Sequence, residues 1–146
     1  MATHTISTSI IIQASVQKVW TILTDTQAYP QWNPFIRTIE GNLNEGNKIK
    51  VNAGENTFRP TILEAKRYHT LKWKGSLIFK GIFDGTHEFK LTPLNDHKCR
   101  FDHSEFFEGL LVGLLKNKLI NEVEPGFIAM NKALKERAEN KKTDSF

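Results

Sequence analysis

The chain has 146 residues, of which 39% are hydrophobic and 25% are charged. This is the length and composition of one globular domain and not of a disordered chain. No apolar run approaches the roughly 20 residues of a membrane-spanning helix, so we expect no stable membrane insertion. The net charge of +4 comes from lysines spread along the chain. Since there is no basic stripe with interleaved aromatic residues, we expect no nucleic-acid partner.

Three further features bear on the setting of the protein. Cys99 is the single cysteine, which rules out an internal disulfide and is typical of a reducing cytoplasm, so we expect cytoplasmic localisation. Residues 1–5 contain neither a basic region nor an apolar block, which predicts no signal peptide. Because there is no internal repeat or flexible linker, residues 1–140 are predicted to form one domain, followed by a polar tail over 141–146.

The N-terminal part is predicted to run strand, helix, helical turn. Residues 6–12 are rich in β-branched side chains and predict a strand. The apolar spacing then becomes helical, at Val16, Val19, Trp20 and Leu23. Ser15 is placed to cap this helix, and a second helical turn is predicted over 27–31. Pro30 and Pro34 bracket an aromatic corner where the chain cannot continue as helix.

Turn residues divide the middle of the chain into six further strands. They are predicted over residues 35–40, 48–52, 57–66, 70–77, 82–91 and 98–107. Short connections between consecutive strands favour an antiparallel meander. In the last two strands apolar residues occupy the odd positions, so the odd face is expected to lie inside. If this hairpin is symmetric about Asn95, His87 lies opposite His103 and Glu105 lies opposite Gly85.

The C-terminal segment returns to helical spacing. Its apolar stripe consists of Leu119, Val123, Phe127, Met130, Leu134 and Ala138. Pro125 lies inside this pattern and is expected to kink the helix or to mark its effective start. The apolar run over 109–115 has two interpretations, either a gate with hinge glycines or a cap on the core.

These elements predict an α+β fold with the order β-α-α-β-β-β-β-β-β-α. A curved antiparallel sheet of about seven strands is expected to grip the long C-terminal helix. Numerous aromatic residues lie on the inner face, and side chains alone rarely fill such an interior. The pattern therefore predicts an apolar, ligand-sized cavity between sheet and helix.

His87, His103 and Glu105 form the one polar group expected on the inner face, and three interpretations compete for it. The three side chains satisfy one another or buried backbone groups, or they orient a ligand in an otherwise apolar pocket. The third interpretation, a metal site of two histidines and one carboxylate, is disfavoured because no fourth ligand is in sight. We therefore expect no metal and no cofactor, and these residues are the sole catalytic candidates.

Several ordered motifs extend over most of the chain. They are Ile12-x-Ala14 with Val19-Trp20-x-x-Leu23-x-Asp25, Tyr29-Pro30-x-Trp32-Asn33-Pro34, Leu71-x-Trp73-x-Gly75, Phe83-Asp84-Gly85-x-His87-x-Phe89-x-Leu91-x-Pro93 and Glu105-x-Phe107-x-Gly109-Leu110-Leu111. In this order they resemble the START-like, or helix-grip, superfamily (SRPBCC), within it the polyketide cyclase/dehydrase and lipid-transport group. The resemblance implies a hydrophobic cavity whose ligands range over lipids, sterols, polyketides and plant hormones. It supplies no universal catalytic residue.

Together, residue pattern and resemblance favour binding of an apolar small molecule or lipid. The predicted ligand-contacting residues are Trp32, Pro34, Phe35, Trp73, Phe83, His87, Phe89, Phe101, His103, Glu105, Phe107, Phe127 and Met130. One alternative is a cyclase, dehydratase or hydrolase in which His87 or His103 moves protons and Glu105 holds the imidazole. Another is a protein-interaction module related to chaperone activators of similar fold. The sequence leaves a homodimer open.

Overall fold

The computed structural model describes residues 2–77 and 79–140. The predicted polar tail, 141–146, lies outside these residues. In the described part, the strands are β1 (Ala2–Ile12), β2 (Ile36–Glu40), β3 (Lys50–Ala53), β4 (Asn56–Phe58), β5 (Thr61–Lys66), β6 (Thr70–Ser76), β7 (Asp84–Asn95) and β8 (Lys98–Gly109). The helices are α1 (Val16–Thr24), α2 (Tyr29–Trp32) after a 3₁₀ turn (Thr26–Ala28), α3 (Val112–Lys118) and α4 (Glu124–Glu139), with a π-helical turn (Leu119–Val123) between the last two.

The strands form two antiparallel sheets. The larger has the order β1-β8-β7-β6-β5, and the smaller has the order β2-β3-β4. β1 pairs with β8 along its whole length, from Ala2 opposite Gly109 to Ile12 opposite Cys99. The larger sheet curves around the C-terminal helix, which confirms the predicted α+β fold.

One predicted strand, residues 57–66, is in fact two strands in different sheets. β4 ends at Phe58 and β5 begins at Thr61, with Arg59 and Pro60 between them. Proline has no backbone N–H to give to a ladder, so the chain leaves one sheet and enters the other at this point. The strand count is therefore eight in the described residues, against the seven expected.

The first helix forms as its sequence predicts. The Ser15 side chain accepts a hydrogen bond from the Lys18 backbone N–H at 3.1 Å and so caps α1. Val19 and Leu23 point inward and are fully buried. The apolar stripe thus pins α1 to the core, which places the turn and α2 beside the second sheet.

Pro125 lies at the start of the long C-terminal helix α4. This is one of the two positions that the sequence predicted for it. The proline lies in the first turn of α4, and the residues before it are already helical, so its missing N–H falls where the hydrogen bonding changes from the π-helical turn to α4. The chain enters α4 from α3 through the π-helical turn, a wider helical form that often occurs at functional sites. In residues 2–77 and 79–140, no helix is long and apolar enough to cross a membrane.

The core lies between the larger sheet, α1 and α4. Its largest fully buried side chains include Tyr29, Phe89, Phe101, Phe127, Met130 and Leu134. Full burial of a side chain of this kind contributes about 1.5–3 kcal/mol. A second apolar cluster, which includes Phe83, Phe107 and Leu119, surrounds the other end of the sheet.

Some residues of the apolar run 109–115 cap the core, and others are exposed, as in a gate. Val112 is 1% exposed and belongs to the second apolar cluster, as a cap on the core would. Leu110 and Leu114 are 70% and 81% exposed, so they cover no core. Whether this segment moves as a gate stays a prediction.

Candidate functional site

The β7–β8 hairpin brings the predicted polar residues together, although its register differs from the one expected. His87 lies opposite Glu105, Phe89 opposite His103 and Gly85 opposite Phe107. Each partner is two residues further along β8 than a hairpin symmetric about Asn95 would place it. That prediction is wrong because the hairpin turns at Asp96 and His97, with Asn95 opposite Lys98, and the register then shifts by one residue between Pro93 and Asn95. A shift of two keeps every side chain on its expected face.

Three hydrogen bonds connect the polar side chains in a line. His87 Nδ1 lies 3.0 Å from Glu105 Oε1, and His87 Nε2 lies 2.8 Å from His103 Nε2. On the far side, His103 Nδ1 lies 2.8 Å from Asn131 Oδ1 of α4. The larger sheet and the helix are therefore joined by a buried polar connection.

Asn131 is the member of this group that sequence reasoning missed. It is 3% exposed and lies four residues after Phe127 and three before Leu134, on the stripe that α4 turns to the sheet. A lone polar residue on an apolar stripe needs a buried partner. The position of Asn131 on the apolar stripe could therefore have identified it as a member of the buried polar group from the sequence alone.

The hydroxyl of Thr8 sets the direction of the whole hydrogen-bond line. Its one proton is donated to the His103 backbone carbonyl at 2.7 Å, so its oxygen accepts from Asn131 Nδ2 at 2.8 Å. The Asn131 amide oxygen then faces His103 and accepts from the Nδ1–H of its ring. Nε2 of a neutral His103 carries no proton, so it accepts a hydrogen bond from the Nε2–H of His87.

His103 is held in the neutral form. Burial lowers the pKa of its imidazole well below the usual range, and the nearby His87 adds to this, while the Asn131 hydrogen bond opposes it. The ring also stacks on Phe127, with centroids 4.0 Å apart and planes 6° apart. His103 is thus an oriented, uncharged acceptor for His87.

One proton remains to be placed between His87 Nδ1 and Glu105 Oε1, because two bare lone pairs would repel at 3.0 Å. The pair is either an imidazolium with a carboxylate or a neutral imidazole with a carboxylic acid. In both forms its net charge is zero, and both ring N–H groups of His87 are engaged when it is charged. Trp73 stacks on the His87 ring at 5.0 Å and fixes its plane.

A cavity of about 520 Å³ opens over this pair, which is within the usual range for small-molecule sites. Its apolar wall consists of Phe35, Ile36, Val51, Ala53, Phe58, Pro60, Trp73, Leu77, Phe83, Phe107, Leu115, Leu119 and Val123. Glu105 and His87 form a polar floor. Exposed side chains of Glu55, Asn56 and Lys118 surround the mouth.

Gly85 makes room for the Glu105 carboxylate in this floor. A Cβ at position 85 would overlap Glu105 Oε2. The space that Gly85 leaves free is therefore occupied by the Glu105 carboxylate itself.

A family model described as "Polyketide cyclase / dehydrase and lipid transport" matches residues 3–139. The chain belongs to this family. The resemblance seen in the sequence is thereby confirmed. No curated protein matches the chain.

Solved structures similar to this family member show the fold. A START superfamily protein from Mycobacterium smegmatis is 22% identical, with a TM-score of 0.71, covering 93% of this chain and 97% of that one. Zhui aromatase/cyclase from Streptomyces sp. R1128 is 17% identical, with a TM-score of 0.73 and 96% coverage of both chains. Norcoclaurine synthase from Thalictrum flavum, in complex with dopamine and hydroxybenzaldehyde, is 14% identical, with a TM-score of 0.68 and coverage of 92% and 86%.

Six of the predicted ligand-contacting residues line the cavity of this family member. They are Phe35, Trp73, Phe83, His87, Glu105 and Phe107. Sequence reasoning missed the contributions of the small sheet, such as Val51 and Phe58, and of the α3 region, such as Leu115. Strands as short as β3 and β4 give too little alternation to assign a face.

The other seven predicted residues do not line the cavity. Four of them, Phe89, Phe101, Phe127 and Met130, are buried in the core because α4 packs directly on that half of the sheet. His103 lies behind His87 and is fully buried. Trp32 packs edge-on against Tyr29, and Pro34 is exposed. Facing inward on the sheet was therefore not sufficient to reach the cavity.

The arrangement does not suit a metal ion. No group of three His, Cys, Asp or Glu residues in the described parts of the chain could hold one. The Nε2 atoms of His87 and His103 are hydrogen-bonded to each other at 2.8 Å, whereas two nitrogens bound to one tetrahedral zinc, with bonds of about 2.0–2.1 Å, lie about 3.3 Å apart.

Proposed function

We propose that the protein binds an apolar small molecule or lipid in the cavity, with Glu105 and His87 as its polar anchor. The observation that carries this proposal is a wall of apolar side chains closed at one end by a single polar pair. Every 100 Å² of apolar ligand surface taken from water contributes about 2.5 kcal/mol. Affinity would therefore come from the wall and orientation from the floor.

The construction of the floor supports a binding role. Every side chain in the buried hydrogen-bond line from Thr8 to Glu105 is hydrogen-bonded to its neighbours. The line therefore holds the Glu105 carboxylate in place without a ligand. Preorganised polar groups reduce the ordering cost of binding. The family description also names lipid transport, and a norcoclaurine synthase of this fold binds small aromatic molecules. We place this binding protein in the cytoplasm, in keeping with the lone free Cys99.

Native mass spectrometry of protein purified without detergent tests the proposal. A defined lipid or small apolar molecule is expected to remain with the protein, and the variant Phe107→Ala is expected to lose it. Phe101→Ala is the matched control, since Phe101 lies on the same face of β8 but in the core. It should cost about 3–5 kcal/mol of stability, whereas Phe107→Ala should cost less because its ring borders open space. The proposal fails if neither a bound molecule nor binding of an added apolar dye is found.

A second candidate function is acid–base catalysis on a bound ligand. The observation that favours it is the 3.0 Å contact between His87 Nδ1 and Glu105 Oε1 in a pair that borders the cavity, since a shared proton must lie between these two atoms. Such a pair can accept or return a proton at a reacting group. The sequence predicted that either His87 or His103 moves protons. In the structure His103 is fully buried behind His87, so of the three predicted residues only Glu105 and His87 contact the cavity. Turnover of the co-purified molecule that is lost in Glu105→Gln, with binding retained, would support catalysis.

A further inference from the structure

We propose that the cavity floor selects ligands by a hydrogen-bond donor: a hydroxyl or ammonium group of the ligand binds Glu105 Oε2, and a carboxylate is rejected there. The inference rests on the proposed binding function and narrows its ligand class. The ligand is then an amphipathic alcohol, phenol or amine that enters with its donor end first. A fatty acid with its head at the floor is excluded.

The donors of the floor are already engaged. His87 gives its Nε2–H to His103 and shares its Nδ1 proton with Glu105. His103 gives its Nδ1–H to Asn131, and Asn131 gives an amide proton to Thr8. None of these side chains has a further proton directed at a ligand.

Glu105 retains one acceptor for a ligand. Oε1 is bonded to His87, and Oε2 lies in the space that Gly85 leaves free beside the cavity. The Glu105 side chain is 17% exposed, so its second oxygen is accessible from the cavity. Oε2 accepts in either form of the pair, as a carboxylate oxygen or as the carbonyl oxygen of the acid.

This inventory gives the floor a chemical preference. A hydroxyl or ammonium supplies the proton that Oε2 lacks, and a hydrogen bond to a charged acceptor is among the stronger ones. A ligand carboxylate finds no donor at the floor, and its oxygen lone pairs face the lone pairs of Oε2. Leaving a buried polar group unpaired is what makes such sites selective.

The experiment compares three rigid probes of one shape: 2-naphthol, 2-methoxynaphthalene and 2-naphthoate, titrated by calorimetry at pH 7. The wild type is expected to bind 2-naphthol about tenfold or more tightly than 2-methoxynaphthalene, with 2-naphthoate weakest. Glu105→Leu, which removes the acceptor and covers His87 Nδ1, is expected to bring 2-naphthol and 2-methoxynaphthalene within about threefold of each other. Glu108→Leu makes the same change on β8 at a carboxylate that pairs with Lys74 and does not line the cavity, and it should leave the ratio unchanged.

Glu105→Gln is the second variant and keeps the shape of the side chain. Its amide can donate to His87 Nδ1 and turn its oxygen to the cavity, so the preference for 2-naphthol over 2-methoxynaphthalene should persist, and 2-naphthoate should remain the weakest ligand because the floor still offers it no donor. The proposed selection for a hydrogen-bond donor is overturned if the wild type binds 2-naphthol and 2-methoxynaphthalene equally. It is also overturned if Glu105→Leu does not change the ratio of their affinities. Either result leaves the proposed binding function intact. Failure of all three probes and of an apolar dye to bind would overturn both.

Discussion

The single proton of the Thr8 hydroxyl orients the Asn131 amide, which in turn determines that His103 is protonated at Nδ1 and that His87 donates from Nε2. Each side chain in the line has one arrangement of donors and acceptors that satisfies both of its neighbours. Long-range ¹⁵N–¹H NMR spectra report the histidine tautomers directly. They should show His103 protonated at Nδ1 and His87 protonated at Nε2.

Asn131→Ala is expected to lower the free energy of unfolding by about 1–3 kcal/mol, because it leaves His103 Nδ1–H buried and unpaired. Asn121→Ala is the control, since Asn121 is exposed on the π-helical turn. Chemical denaturation measures both variants. Equal small losses would mean that the Asn131 amide contributes no more than a surface side chain.

Acid should destabilise the fold through His103. Its pKa in the folded protein lies well below the usual value near 6.5, so the unfolded chain takes up the proton first. Its contribution to stability is therefore complete above about pH 6.5 and is lost as the pH falls below that value. His103→Gln should lose less stability than the wild type between about pH 7 and 5, whereas exposed His97→Gln should follow the wild type. Parallel curves for wild type and His103→Gln would contradict the argument.

At the scale of elements, two glycines near the cavity should respond oppositely to the same substitution. A Cβ on Gly126 of α4 would overlap the ring of Phe35, which is also held edge-on by Phe127 at 5.5 Å. A Cβ on Gly113 of α3 would meet only Ala2, at an ordinary contact distance of 3.7 Å. The helix therefore approaches Phe35 closely because residue 126 has no side chain.

Gly126→Ala is expected to destabilise the protein by about 1–3 kcal/mol and to reduce dye binding as Phe35 moves into the cavity. Gly113→Ala should instead stabilise α3 by about 0.5–1 kcal/mol, since alanine loses less entropy in a helix. Thermal unfolding and a dye titration measure both. A stabilising Gly126→Ala would show that Phe35 has room to move at little cost.

At the scale of the whole molecule, the sequence predicted the features that depend on local pattern. Ser15 capped the first helix, Pro125 marked the start of the last, and the odd face of β7 and β8 turned inward. The ordered motifs led to the right family. Each of these results follows from short-range periodicity or from the backbone chemistry of one residue.

What the sequence did not predict depends on contacts between distant segments. The β7–β8 register depends on an irregularity between Pro93 and Asn95. The alternation of apolar and polar residues along the strands does not reveal it. The split at Pro60 hid a second sheet, which supplies one wall of the cavity. Asn131 lies on a helix 28 residues from His103 in sequence, and only the packing of α4 on the sheet brings the two together. The packing of α4 also determines which inward-facing residues of the sheet contact the cavity and which are buried in the core.

Access to the cavity is a property of the whole molecule, since its wall combines both sheets with the connection between β8 and α4. Leu115 of α3 and Leu119 and Val123 of the π-helical turn line the cavity. A π-helical turn interrupts the α-helical hydrogen bonding and often occurs at functional sites. We therefore expect this connection, residues 109–123, to open for ligand entry.

Hydrogen exchange with mass spectrometry tests this expectation. Peptides covering 109–123 should exchange quickly in the empty protein and more slowly once 2-naphthol or the co-purified molecule is added, because opening is then opposed by the bound ligand. Peptides from α1 are the internal reference, since no residue of α1 lines the cavity and their exchange should not change. Slow exchange of 109–123 in both states would mean that Val112 and its neighbours act as a fixed cap, and that the ligand enters past Glu55 and Asn56 at the opposite side of the mouth.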